Sequence, residues 1–444
     1  MNELFLAYLW QFQYFNKHNL QTESGESLVV IRPGIRNTYS GADFTDAALQ
    51  IDTLQWFGQV EIHARTSDWL RHGHQRNAAY EGVILHVVWE HDTPDENLMR
   101  RSDGSIIPVL ALKQRTAPMM WEQYARMLAQ PLPEIACATQ IHNVPALTVI
   151  AMSNRMLVHR LHRKSAEVLE WLQSHNGDWQ QASYMLFMRN MGFKVNAAPM
   201  LELSLSLPYA LLRKHLHEPL QAEALLLGVA GWLTTQYSDA YLQQLQAEFR
   251  YLAHKHDLMD KIMPKHVWKT SQMRPANFPV RRLAQAAAIL CHLPDLFTVF
   301  IEATQIKPLL EAVNLPPTDY WQKHYLPEKA SERCLGGLGD DSTNTLLINT
   351  LFPLLVAYAQ REGGEEFMER AMQLLTQLPP ETNHITRRWE SLPMPLQTAA
   401  DTQAAIELYN EFCTRRQCLQ CSIGAYLVRE AVDKTSSARL HLDK

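Results

Sequence analysis

Hydrophobic positions recur at two different periods along the chain, and the change from one to the other divides it. Leu4, Tyr8, Phe12 and Phe15 form one stripe of an N-terminal helix. From Ser27 the pattern becomes that of strands: SLVVIRPG, then a turn-rich NTYSGAD, then AALQIDTLQW and GQVEIHAR. DWLRHGHQRNAAY returns to a helical period, and VILHVVWEHD and IIPVLALK to strands. Residues 1–115 therefore predict helix, three strands, helix, two strands, an α+β unit. Beyond Arg115 strand signals nearly vanish. Helical periods follow over roughly 146–174, 178–190, 199–216, 220–234, 239–256, 280–292, 343–360, 364–377 and 399–415, which predicts one large all-α domain over 146–444. The stretch 116–145, with Pro118, Pro131, Pro133 and Pro145, is the expected linker.

A chain of 444 residues, 46% hydrophobic, is long enough for two or three cores. Lys+Arg of 41 against Asp+Glu of 46, a net charge of -5, argues against a general nucleic-acid coat or a membrane-surface protein, while leaving room for a local basic groove. Six cysteines, three of them clustered near residue 420, do not read as a secreted disulfide framework. The N-terminus carries Glu3 and lacks a basic leader and a small-residue cleavage site, and the later apolar runs LLLGVAGWL and LLINTLFPLLVAYA are short or interrupted. A cytoplasmic protein without a membrane span is the expectation.

Candidate chemistry concentrates between residues 41 and 92. Five of the 19 histidines, His63, His72, His74, His86 and His91, fall there, close to Asp43 and Glu61. Strand alternation puts Gln59, Glu61, His63 and Arg65 on one face of GQVEIHAR, and His86 with Ile84, Val88 and Glu90 on one face of the next strand. Asp43, in a glycine-led turn, is placed to meet Glu61 at a shared ion. Carboxylates with waters suit Mg²⁺ or Mn²⁺, and imidazoles shift the preference toward Mn²⁺ or Zn²⁺. The expected metal set is Asp43, Glu61, His63 and His86. His72 and His74 cannot both reach one ion from a continuous helix, so they serve only if it breaks at Gly73. The plain alternatives are an amphipathic edge strand turning Glu61 and His63 to water, and a hydrogen-bonded core His86.

The order helix, β-meander, helix, strand, with Asp43 at the second strand and Glu61-x-His63 on the third, resembles the PD-(D/E)XK nuclease-like core (αβββαβ, restriction-endonuclease-like). The resemblance implies Mg²⁺ or Mn²⁺ on Asp43 and Glu61 and a nucleic-acid substrate, DNA or RNA. Ala42 stands where the motif has proline and His63 where it has lysine. A neutral imidazole takes a proton or binds metal but supplies no fixed charge. Over nearly the whole length, GQVEIHARTSDWLRHGH, GVILHVVWEHD, RNMGFKVN, EALLLGVAGWL, MRPANFPVRRLAQ, LINTLFPLLVAY and CTRRQCLQCSIG are similar to the signature blocks of a bacterial family of unknown function, seen mainly in Bacteroidetes. That resemblance implies membership and no substrate.

Two outlying groups complete the candidates. Cys413-x4-Cys418-x2-Cys421 has ligand-like spacing for zinc or an iron–sulfur cluster, with Cys137 as a distant fourth. Arg274, Arg281 and Arg282 gather at a helix entrance, a setting for phosphate or for internal pairing. Arg155, His159 and Arg163 share one helix face, which reads as a solvated basic stripe or a backbone-tracking one. The leading reading is a metal-dependent nuclease with Asp43, Glu61 and His63 at its centre. The alternatives are a non-catalytic scaffold built on the same core and a zinc hydrolase using His63, His72, His74 and His86.

Overall fold

The computed structural model describes residues 1–37, 41–93, 99–101, 103–131, 134–271, 273–334 and 336–440, with side chains to residue 431. Residues 38–40 of the expected turn and Pro133 lie outside these. A sheet-containing N-terminal region is followed by a mostly helical one. The chain forms two compact units, Met1–Met152 with Tyr409–Lys444, and Ser153–Leu408.

Helix α1 (Glu3–Phe12), capped by the Asn2 side chain at the Leu4 amide, precedes strands β1 (Leu28–Arg32), β2 (Ile35–Arg36), β3 (Phe44–Ile51) and β4 (Leu54–Arg65). Helix α2 (Asp68–Arg71), β5 (Val83–Glu90) and β6 (Val109–Ala111) follow. The sheet order is β1-β3-β4-β5-β6, with β2 also on β3. Strands β1, β3 and β4 are antiparallel neighbours, and β5 and β6 continue in parallel. The second and third strands divide at Asp52, which takes φ 51° in a two-residue turn, so LQW begins β4 instead of ending β3 as expected. The short β2 has too few residues to leave a periodic signal.

Being central, β4 is covered on both faces in its second half, where Val60, Glu61, Ile62 and His63 are all buried. This excludes the edge-strand reading of Glu61 and His63. Helix α1 packs on β4 and β5, with Phe5 edge-on to Trp89. Val83 and Val88 of β5 join an apolar cluster with Ala42, Trp69, Met99, Ile107 and Val109. Alternation along β5 thus turns Trp89 and His86 to opposite faces of the sheet.

The division of the chain falls elsewhere than expected. Within 116–145 a helix, α3 (Pro118–Ala129), forms with Pro118 in its first turn, where a missing N–H costs nothing. It packs against the C-terminal helix Ser422–Leu440, so the segment expected as a linker and the cysteine-bearing C-terminus both belong to the sheet-containing unit.

The second unit is built of helices, with a two-stranded ribbon of His324–Leu326 and Lys329–Ala330. Its apolar helices include Trp179–Met191, Pro219–Val229 and Asp340–Glu362. No single described helix is long and apolar enough to cross a membrane. The basic face read on residues 155–163 turns partly inward. Glu407, fully buried, accepts from Arg163 Nε at 2.8 Å and Nη2 at 2.7 Å, lies 2.9 Å from His159 Nδ1, and pairs with Arg160 at 3.4 Å. Burial pushes the Glu407 carboxyl up, but the donors from Arg163 and His159 outweigh it and hold it at about 2.

A carboxyl held below its unfolded value stabilises the fold above the ordinary glutamate range and loses that contribution as pH falls toward 2. Glu407→Gln is expected to cost about 2 kcal/mol at pH 7, less than a sealed ion pair because Arg163 and His159 are partly solvated. Urea unfolding at pH 7 and at pH 3 checks it: the gap between wild type and variant narrows at the lower pH.

Candidate metal centre

Glu61 and His63 stand two positions apart on β4 and so face the same side of the sheet. In register with Glu61 on β5 is His86. Helix α2 begins where the Asp68 carboxylate accepts the Arg65 amide at 3.0 Å. It stops after Arg71 because Gly73 takes φ 73°, a left-handed conformation that glycine adopts without strain. The helix expected through Tyr80 is replaced by two 3-10 turns, His74–Arg76 and Ala78–Tyr80. A continuous helix would set His72 and His74 about 200° apart. The break brings both to His63.

The spacing is that of metal ligands. His63 Nε2 lies 3.0 Å from His72 Nδ1 and 3.5 Å from Glu61 Oε1, and Glu61 Oε1 is 3.4 Å from His74 Nε2. Ligand nitrogens of His63, His72 and His74 all fall within 4.8 Å of one another. Four ligands at 2.0–2.1 Å around a tetrahedral ion would stand roughly 3.3 Å apart. The buried His74 Nε2 makes no hydrogen bond, leaving a lone pair for a cation. Three imidazoles and one carboxylate suit Zn²⁺ or Mn²⁺ better than Mg²⁺.

His86 is placed behind this set. Its Nε2 is 2.8 Å from His63 Nδ1. With a proton on His63 Nδ1 donated to His86, His63 Nε2 would be free for an ion, and His86 would orient a ligand from behind. Asp43 is tied to the Glu61–Ile62 stretch of β4 by two hydrogen bonds. The Asp43 amide donates to Glu61 Oε2 at 3.1 Å, and the Ile62 amide donates to Asp43 Oδ2 at 3.0 Å. Asp43 is half-buried beside Glu61. Trp69 and Tyr80 wall the cluster, Tyr80 stacking on His74 with ring centroids 3.8 Å apart. Neither was legible as a site residue, and the only signal was Trp69 next to the histidine-rich turn.

Electrostatics prepare the set for a cation. Burial, then the charge of Asp43, pushes the Glu61 carboxyl up to about 8. Burial also raises Asp43. Burial, reinforced by His86, His74 and His72, drives His63 down to about 2, and His86 falls to about 3 for the same first reason. Neutral imidazoles present lone pairs at pH 7, and a strained carboxyl gains from a positive neighbour.

A family model described as a protein of unknown function (DUF2851) matches residues 3–384. The chain belongs to that family. The match bears out the membership expected from the signature blocks, and it ends before CTRRQCLQCSIG. No curated protein and no solved structure matches the chain.

The remaining candidates in the DUF2851 chain are placed as follows. Arg281 and Arg282 are buried. Arg281 donates to the carbonyls of Ala276 and Gly336, while Arg282 donates to Gln285 and Asn277 and lies over the Phe193 ring. They brace the two-proline loop, whereas Arg274 is exposed. Cys137, Cys418 and Cys421 are buried and Cys413 half-buried, and these four are in no disulfide.

With its carboxyl raised to about 8, Glu61 is mostly protonated at pH 7, so a cation bound beside it would displace a proton. Titration calorimetry with Zn²⁺ in buffers of different ionisation enthalpy is expected to show about one proton released per ion at pH 7 and close to none well above pH 8. Glu61→Gln releases none, and His86→Phe weakens binding by roughly 10–100-fold through loss of orientation.

Proposed function

We propose that this protein is a metal-dependent phosphodiesterase acting on DNA or RNA, built on a nuclease-like core of the PD-(D/E)XK type. The observation that carries the reading is the convergence of Glu61 with His63, His72 and His74 on one face of the central strand, with Asp43 alongside. The chain order of α1, an antiparallel meander, α2 and a parallel strand supports it, with one acid at the start of β3 and Glu61-x-His63 on β4.

A bound Zn²⁺ or Mn²⁺ would supply a water of lowered pKa and positive charge for the phosphoryl oxygens. Glu61 and the three histidines would hold the ion, with that water as an additional ligand. His86 fixes the His63 tautomer. Asp43, the more exposed carboxylate, accepts the proton of the attacking water. Because burial keeps His63 neutral, it cannot provide the charge of the lysine it replaces, and its part is that of a ligand.

Cleavage of labelled single- and double-stranded DNA and RNA, with Mn²⁺ or Zn²⁺ added, tests this. The wild type is expected to cut at least one substrate, Asp43→Asn to be slower by roughly 10²–10⁴-fold, and Glu61→Gln to fall to the chelated background. A wild type that cuts nothing beyond the Glu61→Gln background contradicts the proposal and leaves the scaffold reading.

A further inference from the structure

The second unit holds a cavity of about 220 Å³. One wall is the turn at 192–196, which joins the helices Trp179–Met191 and Ala197–Ser206. A Cβ at Gly192 would come within 2.3 Å of the Asn196 carbonyl oxygen, so the turn closes only on glycine. Phe193 takes φ 49°, a left-handed conformation that strains a residue with a side chain. Asn196, buried, fixes the turn by exchanging two bonds of 2.9 Å with the Lys269 backbone. A second wall comes from Asn277, Pro279 and Arg282 at the start of the helix Pro279–His292, and Ser342 joins from the first turn of the helix Asp340–Glu362.

Arg282 is only 3% exposed. Its Nη1 donates to Gln285 Oε1 at 3.0 Å and its Nη2 to Asn277 Oδ1, its guanidinium carbon lies 4.7 Å from the centre of the Phe193 ring, and its Nε makes no hydrogen bond. All of these partners are neutral. Arg281, also buried, adds a second positive charge and donates to two backbone carbonyls. Burial, then the charge of Arg281, brings Arg282 down to about 10, which leaves it charged at pH 7. Among the described residues no carboxylate pairs with either guanidinium, and none lines the cavity. A buried charge without a counter-charge is costly, and an anion in the cavity relieves that cost.

The rest of the lining favours a dianion. Lys194, exposed, brings a flexible ammonium, and Ser342 a hydroxyl. The two helices, 14 and 23 residues long, begin here without a side-chain cap, and each N-terminus carries about half a positive charge. Asp340 and Asp341 in the first turn of the longer helix are exposed and offset part of that field. Two full cations with two helix ends match the double charge of a phosphate better than the single charge of a carboxylate. Met191, Met200 and Met273 give the cavity an apolar part. Its volume falls below the roughly 300–1,000 Å³ of pockets for drug-sized molecules, so the stem of the ligand is short.

We propose that this cavity binds a small phosphomonoester, its phosphate on Arg282, Lys194 and Ser342 and its stem among the methionines. The site lies within the helical unit and stands or falls separately from the phosphodiesterase reading.

The test is titration calorimetry of the full chain with phenyl phosphate, in a chelating buffer that keeps ions from the histidine cluster, with benzoate and inorganic phosphate titrated alongside. One saturable site for phenyl phosphate is expected, with inorganic phosphate weaker and benzoate weaker by about tenfold or more. The dianion is the bound form, so affinity falls as pH drops through about 6. Lys194→Ala is expected to weaken binding roughly 10-fold, and Ser342→Asp and Arg282→Gln to abolish it. Should the buried Arg282→Gln fail to fold, Lys194→Ala and Ser342→Asp, at exposed and half-buried positions, decide. Absence of saturable binding by phenyl phosphate overturns the proposal, as does benzoate or inorganic phosphate binding as tightly, or wild-type affinity in both Lys194→Ala and Ser342→Asp.

Discussion

The burial of Glu61 among imidazoles is the constraint on which the site depends. A carboxyl covered on both sides of a central strand is costly unless it is protonated or faces a cation. In this chain its partners are His63 and His74, whose charged forms burial disfavours, and neutral imidazoles cannot compensate a negative charge. A proton on the carboxyl relieves that cost, and an ion shared between the carboxylate and the nitrogen lone pairs would relieve it as well.

The fold around the site follows from that constraint. The sheet places β4 between an antiparallel and a parallel neighbour, so Glu61 and His63 are fixed from both sides by backbone ladders. The parallel neighbour brings His86 into register behind His63, and the break at Gly73 delivers two more imidazoles from a segment only nine to eleven residues downstream. Asp43 is held at the edge of this arrangement by the Ile62 amide, which places a second carboxylate where solvent still reaches.

Much of this was legible in the residues. Alternation assigned Glu61, His63 and His86 to one side of their strands, and glycine at 73 marked where a helix must fail for His72 and His74 to join. What escaped detection was register and covering. No pattern along β4 alone reveals which strands flank it, so an exposed edge and a buried centre read alike. The metal set was accordingly expected to include His86, whereas the pairing of β4 with β5 puts that ring one step behind. The segment 116–145 misled for a similar reason: its prolines signalled a linker, although Pro118 opens a helix and docks on a partner from the far end of the chain. Long-range pairing of that type leaves no local trace.

The most direct measurement is anomalous diffraction from crystals grown with Zn²⁺ or Mn²⁺, collected at the edge of the metal. The account predicts a peak at about 2.0–2.2 Å from Glu61 Oε1 and from nitrogens of His63, His72 and His74, with His86 outside the coordination sphere and hydrogen-bonded to His63. A metal-saturated crystal without a peak between these four side chains, or an ion bound by His86 in place of His63, would contradict it.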